Sequence, residues 1–267
     1  MFPSTRTGPV LPALVSLIFS AGLAFTCAAQ PLEQVLVETY HVQRSENGGA
    51  PVTTYRIFLD LAPEHTLQVL YGDDHHSLRI ETFPEFHNTQ DGSVAYGDRA
   101  VVDTSHRKVL ATDSWLTIGL VGKAHVGVPR DIDPDGSLFS CPPLSASLSA
   151  DLERPVVDLL CVADGLVPFG GGKEVVDFLM ETTYLENFRG PVIETTNGAW
   201  AVLGGMKGAT EENIVLVAQI ATSDLLHFIL NIQVGTPDGG FVKIVAKDPK
   251  EGELQFDQLT YGARYGH

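Results

Sequence analysis

Positive charge is scarce in this chain: 17 lysines and arginines stand against 33 aspartates and glutamates, for a formal charge of −16. A surface of that sign repels nucleic acid and anionic lipid, which argues against both as partners. Cysteine is scarcer still, three in 267 residues with no CxxC pair, so dithiol redox chemistry is not encoded. A GxSxG nucleophile elbow and an HExxH zinc helix are also absent. The GGGKE stretch at 170–174 lacks a phosphate loop's spacing: Val167 stands where its first glycine belongs and Glu174 follows Lys173 where Ser or Thr is needed, so it reads as a plain loop.

The first 29 residues carry one charge, Arg6, then a largely apolar run from Val10 to Phe25 and the small residues Cys27-Ala28-Ala29 before Gln30. This is the pattern of a secretory signal peptide, with maturation expected at Ala29-Gln30 and no membrane span in the mature chain. Export to the periplasm, the cell surface or the medium follows. The mature chain then holds 16 basic and 33 acidic side chains, a charge of −17. It also keeps only Cys141 and Cys161, which in an oxidising compartment are expected to pair. They bracket a Ser/Pro-rich stretch at 141–161 that divides the chain into an N-terminal β region, 30–140, and a C-terminal β region, 162–267.

What is abundant is alternation. EQVLVETYHVQ (33–43), VTTYRIFLDL (52–61), TLQVLYG (66–72) and HSLRIETF (76–83) are rich in Val, Ile, Thr, Tyr and Phe at period two, with turn residues between them. SWLTIGLVG (114–122), EVVDFLMETTY (174–184), GAWAVLGG (198–205), NIVLVAQIAT (213–222), HFILNIQV (227–234) and FVKIVAK (241–247) continue the pattern. An all-β fold follows, an antiparallel β-sandwich or barrel, with helix confined to 149–160 and 184–188. SWLTIG echoes AWAVLG, and the TYRIFLDL hairpin echoes NIVLVAQIAT and its continuation, which suggests two related β-layers or subdomains. Trp115 and Trp200 sit within alternating strands and are expected as core anchors rather than sugar platforms.

Two stretches offer metal ligands. DIDPDG at 131–136 sets Asp131, Asp133 and Asp135 at positions 1, 3 and 5 of a calcium loop and Gly136 at its sharp turn. Position 12 is Pro142, however, where a bidentate Glu belongs, so an Asp/Pro/Gly turn competes with a partial site for a structural calcium, the one cofactor the sequence suggests. DDHH at 73–76 supplies zinc-type ligands, yet neighbours on an extended chain point opposite ways, so it reads as a hairpin turn unless a remote ligand joins it. Six of the nine histidines fall between 65 and 125, which leaves a composite site open. Paired carboxylates on distant strands leave no local motif, so a polysaccharide hydrolase stays as the alternative to a non-catalytic role; its mark would be two cleft-facing acids, one with a raised pKa.

The blocks TYRIFLDLAPEHTLQVLYGD, DSWLTIG, IDPDGSLFSCPP, LLCVADGL, GAWAVLGG and NIVLVAQIATSDLLHFILNIQV together resemble a group of uncharacterised exported β-rich proteins of Gram-negative bacteria. Some of those relatives carry a type IX secretion sorting domain, which the terminal LTYGARYGH does not resemble. The resemblance implies export and β architecture and brings no catalytic residues. The expectation is therefore an exported, non-catalytic surface or matrix module that binds extracellular protein or carbohydrate, its oligomeric state open. A Cys141 to Cys161 disulfide closing a loop of about 20 residues would stabilise the fold by roughly 3 kcal/mol through the unfolded chain. Thiol titration of the native protein should find no free thiol at either position, and free thiols at both would contradict the pairing.

Overall fold

The structure, a computed structural model, describes residues 30–45, 48–88, 95–99, 111–133, 164–182, 185 and 190–264. The signal peptide, both cysteines of the expected disulfide, Asp135 and the 149–160 helix expectation lie outside these, and of 184–188 only Leu185 lies within them. Strand makes up 51% and helical turns 6% of the described chain, so the all-β reading holds. The strands are β1 (Leu32–Gln43), β2 (Val52–Leu61), β3 (Thr66–Tyr71), β4 (Leu78–Thr82), β5 (Trp115–Leu116), β6 (Leu120–Val121), β7 (His125–Gly127), β8 (Leu166–Pro168) and β9 (Val175–Phe178). They continue as β10 (Val192–Thr195), β11 (Ala199–Met206), β12 (Ile214–Thr222), β13 (Leu225–Ile229), β14 (Asn231–Gly235), β15 (Phe241–Val245), β16 (Glu253–Gln255) and β17 (Thr260–Arg264).

These form four open sheets, ordered β1-β2-β12-β5, β10-β4-β13-β17, β16-β15-β14-β3-β11-β9 and β6-β7-β8. Pairing within them is antiparallel except between β15 and β16. Among the described residues no barrel closes, and the arrangement is consistent with a β-sandwich. Every sheet takes strands from both 30–140 and 162–267, so the two regions share their sheets instead of each forming a layer. The echoing segments meet directly: β2 pairs with β12, and β3 with β14.

Three expected strands are cut short, each for a local reason. SWLTIGLVG divides into β5 and β6 because Gly119 and Gly122 take φ of 78° and 62°, left-handed values that extended backbone does not use. EVVDFLMETTY stops at Phe178, since Leu179 turns the chain with φ 52°. HFILNIQV is two strands in different sheets: the chain crosses over at Leu230, whose N–H leaves the ladder and donates to Leu259 O at 2.9 Å.

Burial on both faces sets β2 and β12, the central strands of the β1-β2-β12-β5 sheet, apart. Alternate residues of β2, Tyr55, Ile57, Leu59 and Leu61, enter the main core with Val215 and Ile220 of β12 and with Trp200 and Phe228 from the other sheets. On the opposite face Phe58 joins Trp115, Val121, Leu166, Ile214 and Leu216 in a second, smaller core. Residues 95–99, 117–133 and 164–169 form the cover over this face, and β12 supplies it with backbone hydrogen bonds. Val217 is the extra residue between the pairs Leu216–Phe58 and Ala218–Ile57. Its carbonyl accepts the Thr117 N–H at 2.9 Å, and Leu216 O accepts the Gly119 N–H at 2.7 Å. Gly127 is required where the cover lies closest, because a Cβ there would stand 2.3 Å from Leu216 Cδ2.

Candidate functional site

Covering both faces of β2 forces every residue from Thr53 to Leu59 out of water, and one of them is an arginine. Arg56 is fully buried. Removing a guanidinium from water costs several kcal/mol and demands compensation. It lies in a transverse row of the sheet, Glu38–Arg56–Gln219–Trp115, fixed by the registers of β1, β2, β12 and β5. Its Nε donates to Gln219 Oε1 at 3.0 Å, while Nη1 donates to Asp164 O at 3.0 Å and Gly165 O at 3.3 Å.

Tyr40 completes the shell from above. It is the unpaired residue of a bulge between the β1–β2 pairs Thr39–Tyr55 and His41–Thr54. That extra residue brings its ring 3.5 Å from Arg56 Cζ, with Arg130 Cζ 5.3 Å from the same ring. Tyr40 Oη donates to Asp164 O at 3.3 Å. Burial pushes the Tyr40 phenol up, Arg56 and Arg130 pull it down, and Asp164 and Glu38 push it up again, so two cations and two carboxylates act on one ring. Glu38 Oε1 in turn accepts from Arg130 N and Nε, both at 3.1 Å. Hydrogen bonds to a charged group contribute about 1.5–3 kcal/mol each and offset part of the desolvation, while the buried Arg56 Nη2 makes no hydrogen bond among the described residues. With Tyr40, Arg56, Asp164 and Gln219 all buried, this cluster is a lock between sheet and cover, closed to any substrate.

Of the DIDPDG acids, Asp131 and Asp133 are described. Asp131 is exposed in a 3-10 turn, Arg130–Ile132, and Asp133 Oδ2 accepts the Gly165 N–H at 2.9 Å. The described half of the motif thus ties residue 133 to residue 165, next to the carbonyls that Arg56 holds. Among the described residues no group of three His, Cys, Asp or Glu is placed to hold a metal.

DDHH does form the turn between β3 and β4, closed by Asp73 N–H to His76 O at 2.9 Å. It is not wholly solvated. His76 is buried, and its Nε2 donates to Glu253 Oε2 at 2.8 Å, a partner 177 residues away that the local spacing gives no hint of. Asp73 Oδ1 accepts the N–H groups of His75 and His76, and Lys243 Nζ stands 4.0 Å from Asp73 Oδ2. Burial pushes the Glu253 carboxyl up, but the Lys250 N–H, the His76 hydrogen bond and the His76 and Lys243 charges outweigh it and leave the pKa lowered. Asp73 is lowered by the same balance, with burial outweighed by its two backbone N–H donors and by His76 and Lys243.

Two features remain open to solvent. The outer face of the six-stranded sheet carries Phe178 (57% exposed), Leu203 (78%) and Phe241 (63%), with the Gln233 Nε2 to Gln68 Oε1 bond of 2.9 Å between its central strands. At the β8–β9 loop a cavity of about 500 Å3 is lined, among the described residues, by Asp98, Lys123, Gly172, Lys173 and Glu174. Trp115 and Trp200 are both buried, as their strands suggested, and Trp200 Nε1 donates to Thr117 O at 2.9 Å. Asp60 has the raised pKa a catalytic acid would need, pushed up by burial and by Glu33 and Glu212, but it does not line that cavity. No protein family, curated protein or solved structure matches the chain.

Arg56→Ala should destabilise the protein by about 3–5 kcal/mol in urea unfolding, because it strands buried partners, whereas Arg56→Met, which keeps volume without charge, should cost less. A loss below about 1 kcal/mol for Arg56→Ala would show that the lock carries no stability. The lowered Glu253 and Asp73 carboxyls stabilise the fold above their unfolded pKa values of 4.5 and 3.8, and that contribution is lost as pH falls through the folded values. Thermal melts from pH 6 to pH 3 should therefore fall less steeply for Glu253→Gln than for the native protein, after a lower start at pH 6, and parallel curves would contradict the linkage.

Proposed function

We propose that this chain is an exported, non-catalytic surface or matrix module that binds protein or carbohydrate on the outer face of its six-stranded sheet. The observation that carries the reading is the solvent exposure of Phe178, Leu203 and Phe241 on a sheet whose other face is packed into the main core. Exposed large apolar side chains gathered on one face are a common mark of a contact surface. Export is supported by the leader-like first 29 residues and by the block resemblance to exported β-rich proteins. Among the described residues no helix is long and apolar enough to cross a membrane.

The hydrolase alternative has one observation in its favour, the placement of Asp98 and Glu174 at a single cavity. Binding and turnover separate the two readings. The protein is applied to immobilised neutral polysaccharides and extended peptides, with retention and released reducing ends both measured. Retention without release is expected, and Phe178→Ser with Leu203→Ser should weaken it about tenfold at an unchanged melting temperature, since each removes an exposed contact without touching the core. Released reducing ends that disappear in Glu174→Gln would establish the hydrolase instead.

A further inference from the structure

Among the described residues, the cavity at the β8–β9 loop has a lining whose charges cancel. Lys123 comes from the β6–β7 turn, Asp98 from the 3-10 turn Gly97–Arg99, and Lys173 and Glu174 from the loop itself. Two of the four are held from behind: Asp98 Oδ2 accepts the Val175 N–H at 3.2 Å, and Lys173 Nζ donates to Gly205 O. The volume of about 500 Å3 lies within the roughly 300–1,000 Å3 of small-ligand sites.

Charge decides what such a lining accepts. A simple anion drawn to the two ammonium groups also meets two carboxylates, and the chain's charge of −16 opposes its approach. A simple cation meets the reverse. A neutral polyol meets neither penalty, because each of its hydroxyls donates to a carboxylate and accepts from an ammonium. Hydrogen bonds to charged groups are also the stronger kind. An apolar border begins where the polar lining ends. Glu174 directly precedes β9, and Leu203 lies one residue beyond the last β9–β11 pair, Val175–Val202. Val176 and Phe178 then alternate outward along β9. A sugar ring presents hydroxyls at its rim and C–H groups on its faces, which matches a charged pocket beside an apolar ridge. Both tryptophans are buried, so a sugar's ring faces meet Leu203, Val176 and Phe178 while its hydroxyls are met by hydrogen bonds.

We infer that the Asp98, Lys123, Lys173 and Glu174 cavity is a subsite for a neutral carbohydrate residue, at the end of the sheet face proposed above as the binding surface. The inference rests on that reading and narrows it from protein or carbohydrate to neutral glycan.

The full chain is tested on an array of neutral gluco-, manno- and galacto-oligosaccharides, uronate-containing oligosaccharides and peptides. The best neutral oligosaccharide is then titrated calorimetrically into the native protein, Lys123→Ala, Glu174→Gln and Leu203→Ser. Neutral oligosaccharides should bind, and each cavity substitution should weaken binding by about tenfold or more, the loss of one hydrogen bond to a charged group, with an unchanged melting temperature. Binding of uronates alone, or of peptides alone, overturns the inference. Neutral-glycan binding that Leu203→Ser weakens but both cavity variants leave intact rejects the subsite while sustaining the sheet-face reading. Absence of binding to every probe rejects both.

Discussion

A guanidinium shut away from water governs the architecture. Arg56 sits in the middle of β2 because that strand is covered on both faces, and a strand so covered has no outward position at which to place a charge. The fold answers with geometry on three sides. Gln219 stands beside Arg56 in the register, Asp164 and Gly165 present carbonyls from the cover, and a bulge in β1 lifts Tyr40 onto the guanidinium. The partners come from three stretches of chain, so Nε and Nη1 are both paired only when sheet and cover have docked. Hydrophobic contact between Phe58, Trp115, Leu166 and Leu216 supplies the larger share of the docking energy, at about 1.5–3 kcal/mol for each fully buried side chain. Such contact tolerates sliding. The hydrogen bonds of Arg56 do not, and they specify one position of the cover on the sheet.

This arrangement separates what holds the protein together from what it offers to a partner. The lock is sealed, and its ionisable groups face one another. The six-stranded sheet buries one face in the main core and leaves Phe178, Leu203 and Phe241 on the other. The His76 to Glu253 bond fastens the β3–β4 turn to the edge strand β16 of this same sheet. Asp133 does comparable work at the cover, joining residues 133 and 165 beside Arg56. Two motifs whose residue types suggested metals are thus found, where described, holding backbone or a distant side chain.

Much of the strand content was legible because period-two alternation reports backbone conformation directly. VTTYRIFLDL is readable as a strand, but the alternation of Thr54 and Arg56 with Tyr55 and Ile57 gives no sign that both polar residues are buried. Local pattern cannot show that a second layer covers that face, because the described cover comes from 95–99, 117–133 and 164–169. Glu253 was invisible as a partner of His76 for the same reason: it stands 177 residues on, in a stretch that reads as a turn. The break in HFILNIQV at Leu230 carries no glycine or proline to announce it; the crossover is set by Leu259 O, which takes the Leu230 N–H. The exposed apolar residues were equally hidden, since Phe178, Leu203 and Phe241 alternate like any core position and are told apart only by which strands end at a sheet edge or face water.

The central claim is that cover and sheet form one cooperative unit through the Arg56 lock, and native-state hydrogen exchange addresses it most directly. The Thr117 and Gly119 amides join the cover to β12, and the Val128 amide joins two parts of the cover through Gly165 O. These amides should exchange with the same opening free energy as the amides of Ile57 and Phe58 in the centre of β2, because docking of the cover pairs Nη1 of the arginine that β2 buries. Exchange of the Thr117, Gly119 and Val128 amides through a much cheaper local opening, while β2 keeps full protection, would contradict the account.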